Sequence, residues 1–202
     1  LTFVNYDNNI DSMNLDDAAN TILESSYGIH ALVVYSESAV LREFWSYYTK
    51  KSIEEKDELV CLAPFYETVY SIKKTLSEGY MSIDTQKYEI EEKSLIIMDS
   101  LQKYFGSHGR VLPIESVLHA NQELIQTSNK LNKNGVSILG DLGSFHSENQ
   151  QQRLVEYEQC LPIDFRTNLK GICFYHQKDF DRLSMDQKEK IIKQHKIAMR
   201  IM

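Results

Sequence analysis

Residues 30–38, HALVVYSES, carry the first clear structural signal in the chain. An apolar, β-branched run ends in Tyr35, Ser36 and Glu37, and Val40, Leu41, Phe44, Trp45 and Tyr48 then recur at helical spacing. A short buried strand therefore leads directly into an amphipathic helix. The same alternation returns downstream. LVCLAPF (59–65) precedes a helix marked by Val69, Ile72 and Leu76 with Gly79 as its C-cap, and VSILGD (136–141) and GICFYH (171–176) read as further strands. Short, continuously apolar strands separated by helices predict an α/β fold: a mainly parallel sheet with helices on both faces.

The flanking segments fit the same scheme. Residues 1 to about 13 are polar and asparagine-rich and read as a loose arm. Asn14 is placed to cap a short amphipathic helix bearing Leu15, Ala18, Ala19, Ile22 and Leu23, with Asp16 and Asp17 suited to its positive end. This divides the chain into an N-terminal arm and helix, 1–26, and an α/β domain, 27–202. YMSID (80–84) reads as a short strand and SLIIMDS (94–100) as a stronger one, while Pro113 opens a helix that KNG (133–135) closes. Ser147 with Gln150, and Ser184 with Gln187, have capping-box spacing ahead of two more helices. The second of these is expected to run to the chain end, because Ile191, His195, Ala198, Met199 and Met202 share a helical face.

Bulk composition limits the function. The 202 residues suffice for one sizeable core, and a chain of this length buries about 70% of its unfolded surface. The formal charge of −7, with no basic run, opposes direct nucleic-acid binding. No apolar stretch approaches the ~20 residues of a membrane span, and no basic-then-apolar leader opens the sequence. Cys61, Cys160 and Cys173 are odd in number and widely spaced, which reads as free thiols in a reducing cytoplasm. Because the first residue is Leu1, a start further upstream is expected.

Ligands of open α/β sheets sit beyond the carboxyl ends of the strands. That points to Tyr35, Ser36 and Glu37, to Pro64, Phe65 and Tyr66, and to Asp99, Asp141, Tyr175 and His176. A phosphate loop needs G-x-x-x-x-G-K-[ST], whose amides and lysine hold the anion. YSESAVLREFW has neither glycine nor lysine, and Glu37 would repel a triphosphate. Asp141, within SILGDLGSF (137–145), stands where a phosphate-loop protein places a metal-linked carboxylate; the plainer reading is a carboxylate capping local amides. Glu158 and His195 fall on apolar helix faces, so each is tied to a buried partner or lines an internal pocket. The six histidines lack H-x3-H or C-x2-C spacing, so neither a metal nor any other cofactor is expected. No nucleophile elbow is present. Several of the twelve tyrosines, Tyr35, Tyr66, Tyr157 and Tyr175 among them, flank strand ends or helix starts, where an apolar body with one polar handle suits a pocket.

The order of motifs resembles a family. GIHALVVY, SLIIMDSLQKYF, GVSILGDLGSF followed by LVEYE, then GICFYHQKDFDRL and IIKQHK, look like the MEDS domain, the sensory domain of methanogens, methylotrophs and the dichloromethane-responsive regulator. The resemblance covers roughly residues 27–200. It implies a fold related to the RecA and KaiC ATPases that has lost the phosphate loop, a role in signalling or transcriptional control, and a small-molecule ligand. The family-like positions are His30, Tyr35, Asp141, Tyr157, Glu158, Tyr175 and His195. GDLGSF departs from the family, where a glutamate and a tryptophan are expected.

The leading expectation is a non-enzymatic cytoplasmic sensor. Its ligand-binding residues would be His30, Tyr35, Glu37, Asp141, Tyr157, Glu158, Tyr175 and His195, grouped at the strand carboxyl ends with Glu158 behind them. A signalling or DNA-binding partner protein would carry the output, and a homodimer is an allowed form. The alternatives are a divergent nucleotide-binding ATPase using Asp141 with a metal, and an interaction scaffold working through the N-terminal helix.

Overall fold

The computed structural model describes residues 10–79, 81–106 and 112–202. Among these, seven strands form one sheet: β1 (Asp11–Met13), β2 (His30–Tyr35), β3 (Glu58–Ala63), β4 (Leu95–Ile97), β5 (Gly135–Asp141), β6 (Leu169–His176) and β7 (Ile197–Ile201). Their order is β1-β7-β2-β6-β5-β3-β4, and every pairing is parallel. The strands β2, β3 and β5 are buried at every position, as expected for a sheet covered on both sides.

Side-chain alternation divides the core. On one face Ala31, Val33 and Tyr35 of β2 join Ile172 and Phe174 of β6 beneath α1 (Leu15–Leu23), α2 (Ser38–Glu54) and α3 (Val69–Glu78). Here Phe174 takes the edges of Phe44 and Trp45, at centroid distances of 5.3 and 5.6 Å. Such pairs add about 0.5–1.5 kcal/mol each beyond area burial. On the other face Leu32, Val34, Cys173 and Tyr175 lie under a second set of helices. These are α4 (Ser100–Phe105), α5 (Ile114–Lys130), α6 (Gly143–Ser147), α7 (Gln151–Cys160), α8 (Gln177–Arg182) and α9 (Met185–Lys193).

The caps explain several boundaries. The Asn14 side chain accepts from Asp17 N, and Ser184 with Gln187 completes a capping box at α9. Gly79 closes α3, its amide donating to Thr75 O. Asp99 accepts from the amides of Leu101 and Gln102, which starts α4 and holds β4 to three residues.

Four expectations are corrected. Residues 81–84 of YMSID form no strand; Asp84 instead accepts from Lys87 N and opens a π-helical turn, Lys87–Glu91. Residue 80 lies outside the described residues. Ser147 and Gln150 make no capping box, because Ser147 is already used as the last residue of α6 and the chain re-enters helix at Gln150 without a side-chain cap. The terminal helix stops at Lys193, and Ile197–Ile201 enter the sheet between β1 and β2. Finally, Asp11–Met13 of the expected loose arm pair with β7 as an edge strand, while residues 1–9 lie outside the described residues.

Candidate functional site

The expected site residues divide into two groups. His30 opens β2 and Tyr35 closes it, and five residues of strand separate their Cα atoms by about 16 Å. They also point to opposite faces. A single site at the strand carboxyl ends, with His30 beside Tyr35 and Asp141, is therefore not what this fold builds.

The first group stands at the strand carboxyl ends. The Tyr35 hydroxyl donates to Asp141 Oδ2 at 2.8 Å, and Gly143 N donates to Oδ1 at 3.0 Å. Asp141 is fully buried. Desolvation pushes its pKa up to about 6, against the lowering effect of the Gly143, Tyr35 and Tyr66 hydrogen bonds. Nearby, the Tyr66 hydroxyl donates to Asp179 Oδ2 at 2.6 Å, and His146 Nδ1 lies 4.0 Å from Asp179 Oδ1. Both ring nitrogens of buried His146 lack a hydrogen bond. Glu37 is exposed as the N-cap residue of α2, with no side-chain cap bond.

The second group is enclosed between the sheet and α7 and α9. His30 and Glu158 are fully buried and His195 nearly so. His30 Nδ1 lies 2.9 Å from Gln194 O, and His195 Nδ1 lies 2.7 Å from Ile191 O. A carbonyl only accepts, so both Nδ1 atoms carry the hydrogen and both Nε2 atoms present lone pairs. Those lone pairs converge on Glu158 Oε2, each at 3.5 Å. Cys173 Sγ lies 3.4 Å from His30 Nε2 and 3.8 Å from Glu158 Oε2. The Tyr175 hydroxyl donates a very short bond to the other carboxylate oxygen, Oε1.

Burial governs the protonation states here. Desolvation drives the Glu158 carboxyl up to about 7, opposed by the bonds from Tyr175 and Cys173. It lowers His30 to about 4, opposed by the Gln194 carbonyl, and takes His195 well below its usual range. It also raises the Cys173 thiol well above its ordinary value.

A cavity of about 20 Å³ adjoins this group, lined by His30, Cys173, Tyr104, Asn121, Tyr157 and Phe165 among others. That is room for one water-sized molecule. Two glycines keep it open: a Cβ on Gly140 would lie 2.4 Å from the Tyr104 hydroxyl, and one on Gly171 would lie 2.9 Å from the Phe165 ring. Asn121 also accepts from the buried ammonium of Lys103 at 3.1 Å, and desolvation lowers the pKa of that lysine.

The fold thus brings together His30, Tyr157, Glu158, Tyr175 and His195 and leaves Tyr35, Glu37 and Asp141 elsewhere. Sequence reasoning placed Glu158 on a buried face correctly. It did not place Cys173, Asn121, Phe165, Asp179 or His146 in either group. Period-2 alternation places Gly171, Cys173 and Tyr175 on one face of β6 with His30 alongside, and that was the available signal.

Comparison with known proteins fixes the architecture. The Pyrococcus horikoshii OT3 protein PH0250 superposes with a TM-score of 0.54 at 14% identity, over 94% of this chain and 88% of that one. The KaiC-like protein PH0186 from the same hyperthermophilic archaeon gives 0.51 at 18% identity, over 82% and 70%. The fold is KaiC-like. No protein-family model and no curated protein matches the chain. In this KaiC-like frame the junction between β2 and α2 is two residues, Ser36 and Glu37, where a phosphate loop would need a longer glycine-rich turn. Among the described residues no helix is long and apolar enough to cross a membrane.

Proposed function

We propose that this chain is a non-enzymatic regulatory domain of MEDS type, which binds a small molecule in the cytoplasm and signals through a signalling or DNA-binding partner protein. The observation that supports this reading is the buried polar cluster of His30, Glu158, Cys173 and His195 with a water-sized void beside it. A larger ligand would widen that void by displacing α7 or α9. A buried carboxyl, two neutral imidazoles and a thiol beside a void are costly to maintain for packing alone. The helices that roof the group, α7 and α9, pack on each other, and the loop after α9 leads through His195 into β7. Ligand binding beneath them has a direct route to the β1–β7 edge of the sheet, which is where a partner would sense it.

Two features weigh against the other readings. Asp141 spends its oxygens on Tyr35 and Gly143 and faces a junction without a phosphate loop, which disfavours nucleotide hydrolysis. The apolar face of α1, Ala18, Ala19, Ile22 and Leu23, is already buried within the domain, which leaves a scaffold role through that face little to work with.

The test is thermal-shift screening of small metabolites against the wild type and His30→Ala. A ligand at a hundredfold its Kd stabilises by about 2.7 kcal/mol, or roughly 5–10 °C for a domain of this size. A compound giving that shift in the wild type and little in His30→Ala supports the reading. Stabilisation by Mg-ATP alone would replace it with the nucleotide reading.

A further inference from the structure

We propose that His30, Glu158, Cys173 and His195 form a binding site for a single divalent transition-metal ion of the zinc class. The site shares its residues with the regulatory reading but does not rest on it, because metal content is read without any metabolite. One donor atom from each of the four residues lies within 4.8 Å of every other, and all four residues are buried. Four of the six separations between these donor atoms, 3.4, 3.5, 3.5 and 3.8 Å, lie close to the edges of a tetrahedron, and the other two are no longer than 4.8 Å. Bonds of about 2.0 Å to nitrogen and oxygen and about 2.3 Å to sulfur give edges of about 3.3–3.6 Å.

Three further observations point to an ion. The Nε2 atom of buried His195 has no hydrogen-bond partner, although it aims at the centre of the group. Glu158 Oε2 lies equally far from both imidazoles, and one carboxyl proton cannot serve both. A cation satisfies every lone pair at once. The surroundings are also those of a metal site: backbone carbonyls of Gln194 and Ile191 fix the two ring tautomers, and the Tyr175 hydroxyl holds the second carboxylate oxygen.

Charge and ligand chemistry select the ion. A thiolate and a carboxylate neutralise a divalent cation, and the imidazoles add no charge, so the complete site is neutral in a buried interior. Binding would release the Cys173 proton, since coordination deprotonates a thiol. Sulfur and imidazole donors exclude magnesium and calcium and favour zinc in a tetrahedral geometry. The cavity beside His30 and Cys173 leaves space for a water-sized molecule at the edge of the site.

The test is metal analysis of the full chain, purified without chelator and also refolded with zinc, followed by cobalt(II) substitution. The expected result is about one equivalent of zinc per chain. The cobalt form should show a four-coordinate visible spectrum and a thiolate-to-cobalt charge-transfer band. Cys173→Ser should abolish that band, and Tyr175→Phe should weaken zinc binding by about 10-fold, as loss of an outer-shell partner does. Uptake below about 0.1 equivalent, or a charge-transfer band that persists in Cys173→Ser, overturns the site. If Cys173→Ser does not fold, the double variant Cys61→Ala, Cys160→Ser decides, because Cys173 is then the sole thiol. A band in that variant upholds the site, and its absence overturns it.

Discussion

Replacing Asp141 by asparagine should make the protein more stable at neutral pH and leave it nearly unchanged in acid. The carboxyl is fully buried, and desolvation raises it from 3.8 to about 6 in the folded state. The folded chain therefore holds this proton more tightly than the unfolded chain does. The favourable contribution is complete below about pH 3, under the unfolded value of 3.8, and is lost as pH rises through about 6. Moving the carboxyl from 3.8 to about 6 corresponds to about 3 kcal/mol between those limits. The side-chain amide of Asp141→Asn keeps an oxygen for Gly143 N and offers a hydrogen to the Tyr35 oxygen, but it carries no charge. The stability difference should thus grow in favour of the variant by about 3 kcal/mol from about pH 3 to pH 7. Urea denaturation at half-unit pH intervals reads it directly. Parallel stability curves for the two proteins would refute the reasoning, because they would mean that Asp141 titrates alike folded and unfolded.

Lys170 sits 3.1 Å from Glu58, both buried, and donates to Leu23 O at 2.8 Å. Lys170→Met should cost about 3–5 kcal/mol in urea denaturation by stranding Glu58, and adding Glu58→Gln should recover part of it. Gly140→Ala should cost about 1–3 kcal/mol, since its Cβ would press on the Tyr104 hydroxyl, and should abolish any ligand-induced thermal shift. Ser184→Ala should remove the capping box of α9 at about 1 kcal/mol and speed amide exchange in that helix before any other.

The architecture was legible where burial on both faces writes itself as an apolar run. HALVVY, VCLA and VSILGD are such runs, and each became a central strand. Edge strands gave weaker signals. Ile197–Ile201 carries period-2 burial at Met199 and Ile201, yet Ile191, His195, Ala198 and Met202 also fit a helical face. Pairing with β2 and β1 settled that ambiguity, and pairing is a property of the whole sheet. Ser147 had the right spacing for a cap, but the tight α6 turn after Asp141 claimed it first. The candidate site was legible as residue types and not as a place. Glu158 and His195 stood out as polar residues in apolar surroundings. Cys173 lies 15 residues beyond Glu158 and 143 beyond His30, so their meeting depends on strand order. Motif spacing tests for metal ligands read only local sequence, so they pass over a site assembled from four separate elements.

The proposed ligand site is the buried group beneath α7 and α9, and not the strand-end junction. Native mass spectrometry of the protein purified from cells, recorded with and without Mg-ATP, tests that claim most directly. The expected spectrum shows a mass above that of the bare chain, unchanged by Mg-ATP and lost in His30→Ala. A bare-chain mass that gains one nucleotide on addition of Mg-ATP, in wild type and His30→Ala alike, would contradict the account.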